Sequence, residues 1–129
     1  MPKYLISFND GDMKFPESDL PAVGAAAHAV MSDAIDQGVW VFGGGFRGYS
    51  PRVVDADGMV SNGPLRISDV YLGGFCVVNV ADDEQANSWA ARFAEACRCP
   101  QEVRLFLEDK EQERMLAEKN EKNEKNEKN

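Results

Sequence analysis

The chain has 129 residues, 43% of them apolar, and a formal net charge of −8, which suits one soluble domain with a modest core. It contains no run of about 18 apolar residues that would cross a membrane, and its start, Met1-Pro2-Lys3-Tyr4-Leu5, lacks the basic region and apolar stretch of a signal peptide. From Glu108 onward there are eight acids and six bases, net −2, which leaves −6 on residues 1–107 from fourteen acids and eight bases; such a domain has no electrostatic footprint for nucleic acid or for anionic lipid.

In chain order, Lys3 to Phe8 reads as a strand, with Tyr4, Ile6 and Phe8 on one face and Leu5 and Ser7 on the other. Asn9-Asp10-Gly11-Asp12 is a turn signal. Ser18 is placed as the N-cap of a helix from Asp19 to Gln37, with Leu20, Val23, Ala27, Met31 and Ala34 as its apolar stripe and Gly38 at C′. Val39 to Phe42 then reads as a buried strand that runs into Gly43-Gly44-Gly45.

Val53 to Val60 reads as a hairpin, with Asp57-Gly58 as a two-residue turn. A stiff loop, Asn62-Gly63-Pro64-Leu65, follows, because proline fixes its own φ and restricts the residue before it. Tyr71 to Val80 is a long strand, in which Gly73 and Gly74 leave room for a bulge or for close approach of a ligand or another backbone. Asp82 and Gln85 resemble a capping box that opens a helix from Asp83 to Cys97, with Ala86, Trp89, Ala90, Phe93 and Cys97 facing the core. Val103 to Leu107 is the last strand.

The order is strand–helix–strand, hairpin, strand–helix–strand, which predicts an α+β, ferredoxin-like antiparallel sheet with two helices on one face. The strands at Lys3–Phe8 and Tyr71–Val80 are apolar on both faces, whereas a sheet covered on one side only should alternate. A second subunit related by a two-fold axis would cover the open face, so a homodimer is expected. Residues 1–107 form this domain, and residues 108–129 form a charged low-complexity tail that ends in repeated Glu-Lys-Asn and is expected to lack order, although charge pairs at helical spacing support a frayed helix.

Three cysteines without an export signal favour a reducing, cytoplasmic setting and no disulfide framework. Cys76 is a small core residue of its strand, and Cys97-Arg98-Cys99, with His28 as the one histidine, falls short of a metal site, so neither metal nor cofactor is expected. No phosphate-binding loop, dinucleotide loop or nucleophile elbow is present.

The loop Asn62-Gly63-Pro64-Leu65, the strand Gly73-Gly74-Phe75 and the helix from Glu84 to Ala96 with Trp89-Ala90-Ala91 together resemble the YciI-like family, in the branch whose loop reads Asp-Gly-Pro-Phe. The resemblance covers residues 2–107 and differs at two of the four loop positions. It implies a dimeric α+β barrel, and it implies a histidine in the first helix that works with an aspartate.

His28 is the natural acid–base candidate, being the residue type that titrates near neutrality; the wheel places it at the border of core and solvent, near Met31, Ser32 and Ile35. Asp69 is the aspartate chosen as its partner, because Asp33 and Asp36 are not at helical contact spacing from His28. Asn62 stands where the family has its loop aspartate; an amide is no general base, yet it can bond a ligand or stabilise the turn. Arg47, Arg52 and Arg66 flank the loops around the hairpin and suit a carboxylate, and Tyr71 and Phe46 could line an apolar pocket. Asn62, Arg47, Arg66 and Tyr71 are accordingly taken as substrate-binding. Two functions compete: a small cofactor-independent enzyme that uses His28 and Asp69 on a small, anionic or organic substrate, and a non-catalytic dimeric module that binds a small ligand or a protein, as members of this branch associated with transcription regulators do. Convergence of His28 and Asp69 on one pocket favours the enzyme, and a solvent-facing His28 favours the module.

Overall fold

A computed structural model of the chain describes residues 1–48 and 50–128. Four antiparallel strands form the central sheet: β1 (Lys3–Asn9), β2 (Trp40–Gly45), β5 (Leu72–Asn79) and β6 (Glu102–Leu105), in the order β2-β5-β1-β6. Helices α1 (Leu20–Asp36) and α2 (Asp83–Cys97) complete a β-α-β, β-α-β path whose strand order is that of the ferredoxin-like fold. A separate hairpin, β3 (Arg52–Val54) with β4 (Val60–Asn62), is inserted between β2 and β5.

Strand alternation separates the two faces of the sheet. On the helix side, Trp40, Val78 and Tyr4 form one cross-strand row, and Gly43, Cys76, Ile6 and Val103 form the next. They pack with Val30 and Ala34 of α1 and with Ala86, Trp89, Ala90 and Phe93 of α2 in a single core. On the other side, Phe42, Val77, Leu5 and Arg104 share a row, and beside it lie Phe75, Ser7 and Glu102. Phe46 covers part of Phe75, with the ring centroids 6.0 Å apart. This second face carries no helix and is apolar at its centre.

Both helices are delimited by local chemistry. Gly38 has φ +75 and takes the C′ position of α1; Gly38 N–H donates to Ile35 and Val39 N–H donates to Ala34, closing a Schellman motif as the sequence predicts. Asp82 caps α2, its carboxylate accepting from Gln85 N–H at 2.9 Å, while the Gln85 side chain accepts from Ala81 N–H at 3.2 Å. The range Asp83–Cys97 for α2 agrees with the sequence expectation, and Ala96 replaces Cys97 as the last fully buried position. Arg98 ends the helix with φ 58, its N–H and that of Cys99 both donating to the Ala94 carbonyl, while its side chain reaches Asp19 at 2.8 Å.

Several local expectations are corrected. Ser18 is not the N-cap of α1: Glu17–Asp19 form one 3-10 turn, Asp19 N–H donates to Pro16, and the Asp19 carboxylate is engaged by Arg98 instead of capping the helix. The buried positions of α1 are Val23, Val30 and Ala34, with Ala27 and Met31 half-buried beside them; of the expected stripe only Leu20, in the first turn, is exposed. β2 is not a buried strand: it lies at the sheet edge, and Phe42 is 66% exposed. The Asp57-Gly58 turn is longer than two residues: Gly58 N–H donates to Asp55 and Asp55 N–H donates to Met59, so Ala56, Asp57 and Gly58 (φ +88) form a three-residue loop with the glycine left-handed.

The paired glycines serve close approach within the sheet. A Cβ on Gly74 would sit 2.7 Å from the Phe8 ring and 2.8 Å from the Gly44 carbonyl, and one on Gly73 would meet Asp10 N and Phe8 at 2.9 Å. Phe8 therefore lies flat over this pair, where the register of β1 against β5 shifts between Phe8 and Asn9.

The tail forms a helix, α3 (Lys110–Lys128), whose described side chains are all exposed. Arg114 bonds Glu111 and Glu118 one turn away on either side. These pairs at three and four residues are the interactions the charge spacing allows.

Candidate functional site

His28 lies on the exposed side of α1, and its Nδ1–H donates to the Gly24 carbonyl at 2.9 Å, one turn back on the same helix. Asp69 is exposed in the loop that joins β4 to β5. Among the described residues His28 and Asp69 share no hydrogen bond or ion pair.

That loop is held by its own side chains. Tyr71 Oη accepts from Ser68 N–H at 2.8 Å, Ser68 Oγ accepts from Val70 N–H at 3.1 Å, and the Tyr71 carbonyl accepts from Asp10 N–H at 2.7 Å. Tyr71 thus fixes the loop to the end of β1.

The hairpin brings two other candidates together. Arg52 and Asn62 are direct partners across β3 and β4, so their side chains leave the same face at neighbouring positions. They line a cleft of about 450 Å³ with Ser50, Pro51 and Gly63, at the open end of the hairpin. Gly63 N–H donates to the Pro51 carbonyl at 2.8 Å, and a Cβ on Gly63 would come within 3.0 Å of that oxygen. The glycine of the stiff loop is what lets the two chain segments close this wall.

Among the described residues, three of the chain's arginines outside the hairpin carry a carboxylate partner, and Arg104 of β6 does not. Arg92 is paired with Asp33, Arg98 with Asp19, and Arg114 with Glu111 and Glu118. Among the described residues Arg47, Arg52 and Arg66 have no carboxylate partner. Residues 46–69 hold these three arginines against Asp55, Asp57 and Asp69, net zero within a chain of −8. Arg47 and Arg66 are exposed and do not line the cleft; Arg52 does. The two-residue turn expected at Asp57-Gly58 would have set Arg52 opposite Gly63; the three-residue loop shifts the register and sets it opposite Asn62.

The thiols are poor nucleophiles. Burial pushes the Cys76 thiol up to about 12, and it raises Cys97 and Cys99 as well. A second, smaller cleft of about 250 Å³ lies between α2 and β6, lined by alanines with Asn87, Gln101 and Val103. Among the described residues no three metal-ligating side chains come together, and no helix is long and apolar enough to cross a membrane.

A scan against protein-family profiles finds no match, and no curated protein matches the chain. Among solved structures, the chain is similar to 5-chloro-2-hydroxyhydroquinone dehydrochlorinase (TftG) from Burkholderia phenoliruptrix AC1100, in complex with 2,5-dihydroxybenzoquinone. The identity is 17%, the TM-score is 0.48, and the match covers 84% of this chain and 97% of the other.

Proposed function

We propose that the chain is a YciI-like protein that works as a homodimeric small-ligand-binding module, its two sheets packed face to face as a dimeric α+β barrel. The observation that carries this reading is the uncovered sheet face, where Phe42, Val77 and Leu5 lie in one cross-strand row beside Phe75. A row of large apolar side chains on a face without helices gains free energy when a second copy covers it, at about 25 cal/mol per Å² of apolar surface removed from water. An isologous pairing satisfies both copies at once.

His28 favours binding over acid–base chemistry. Its ring faces solvent, and Nδ1 is engaged by Gly24 on its own helix. The enzyme reading, with His28 and Asp69 as a proton-transfer pair, needs the two to meet on a substrate, and it is the weaker of the two. Ligand contacts are assigned instead to the corner of the hairpin and the Gly63-Pro64 loop, where Asn62 stands beside Arg52. Multi-angle light scattering of the full chain tests the dimer: twice the chain mass of 14.3 kDa is expected, and a monomer at high micromolar concentration overturns the reading.

A further inference from the structure

We propose that the cleft at the open end of the β3–β4 hairpin binds a small organic monocarboxylate, with Arg52 clamping the carboxylate and Asn62 donating from its amide. The proposal rests on the ligand-binding reading above and names the ligand class and the two residues that recognise it.

Four observations carry it. First, Arg52 and Asn62 are cross-strand partners, so one planar guanidinium and one amide donor project side by side. That combination matches a planar carboxylate, which accepts two parallel N–H bonds from arginine and keeps lone pairs for a further donor. Second, among the described residues Arg52 has no ion pair and Asn62 no side-chain hydrogen bond, so both are available to a ligand. Third, Ser50, Pro51, Arg52, Asn62 and Gly63 line one open cleft of about 450 Å³. Its shape is fixed by the Gly63 N–H to Pro51 bond at 2.8 Å and by the absence of a Cβ on Gly63, so little ordering is required on binding. Fourth, the charge selects the ligand. Residues 46–69 hold three arginines against Asp55, Asp57 and Asp69, net zero, while the whole chain is −8. The one guanidinium of the cleft compensates a single negative charge, and the acidic remainder of the chain disfavours a dianion more than a monoanion.

The test is a two-dimensional NMR titration of the full-length protein with benzoate, compared with benzamide, which has the same shape without the charge, and with inorganic phosphate. Saturable shifts at the Arg52 and Asn62 side chains and at Gly63 N–H are expected with benzoate alone. Arg52→Gln should weaken benzoate about tenfold or more, the loss expected for one charge-assisted bond, and Asn62→Leu should weaken it less; both positions are exposed, so the remaining spectrum should be unchanged. Equal shifts with benzamide, equal shifts with phosphate, an unchanged benzoate affinity in Arg52→Gln, or no saturable shift at all each overturn the carboxylate site. Light scattering on the same samples separates the two readings: a dimer that ignores benzoate removes the carboxylate site alone, and a monomer that binds benzoate removes the dimer alone.

Discussion

Tyr4, buried at the start of β1, donates its hydroxyl proton to the Asp83 carboxylate at 2.6 Å in the first turn of α2. The bond ties the sheet to the helix that covers it. The carboxylate holds the phenol well above its ordinary value of 10.0, at about 12, and burial holds the Cys76 thiol at about 12 against 9.0. Both groups keep their protons more tightly folded than unfolded. As pH rises from about 9 to 12 the unfolded chain releases them first, so stability is intact below that window and is lost through it. Urea unfolding at a series of alkaline pH values should show this decline. Tyr4→Phe should be less stable than the parent at neutral pH and should lose less above pH 10; a parent whose midpoint stays flat to pH 12 contradicts the assignment.

Gly43 marks the closest approach of β2 to β5. A Cβ there would lie 2.5 Å from Cys76 Cβ and 2.8 Å from the Phe75 carbonyl, neither of which can move without shifting the sheet. Gly43→Ala should therefore cost about 1–3 kcal/mol, the range for overpacking a core. Gly44→Ala meets open space and should change stability by less than about 1 kcal/mol in either direction. Chemical denaturation of the two variants checks the contrast, and equal effects would show that the β2–β5 spacing is looser than drawn.

Phe42 stands on the uncovered face at the sheet edge, 66% exposed. Phe42→Arg places a charge in the proposed dimer contact without touching the core. It should halve the mass measured by light scattering and leave the single-chain far-UV spectrum unchanged. A dimer that survives this change uses another surface.

Removal of residues 108–129 should leave the unfolding midpoint of the domain within about 0.5 kcal/mol, the usual range for exposed positions, because every described side chain of α3 is exposed. In the full chain α3 should melt gradually and well below the domain, as a helix held only by pairs such as Arg114 with Glu111 and Glu118 does. Circular dichroism at 222 nm for the two lengths, followed with temperature, reads both effects; a cooperative loss shared by tail and domain would mean that the tail packs on the body.

Much of the fold is legible in the chain because its signals are local. The capping oxygen of Asp82, the glycine at Gly38 and the apolar spacing of α2 act within one or two turns, and the elements they delimit follow the sequence closely. The paired glycines also announce a close approach, although only the folded sheet shows that Phe8 and Gly44 make it. The candidate site was less legible. His28 sits at the border of an apolar stripe, where the sequence leaves both sides open, and the folded helix turns it to solvent. Tyr71 reads as a pocket residue and works as the clasp of its own loop.

The sequence alone determined the limits of α2, the C-terminal end of α1 at Gly38, the order of the elements from β1 to β6 and the net charge, since each depends on near neighbours or on composition. The tertiary structure decided that β2 lies at the sheet edge with Val41 and Phe42 exposed while Trp40 packs on the core, that Arg52 rather than Arg47 or Arg66 stands beside Asn62, and that His28 bonds Gly24 rather than Asp69. Strand order and register are set by contacts between residues far apart in the chain, and a one-residue difference in register or helix start changes which face a side chain takes.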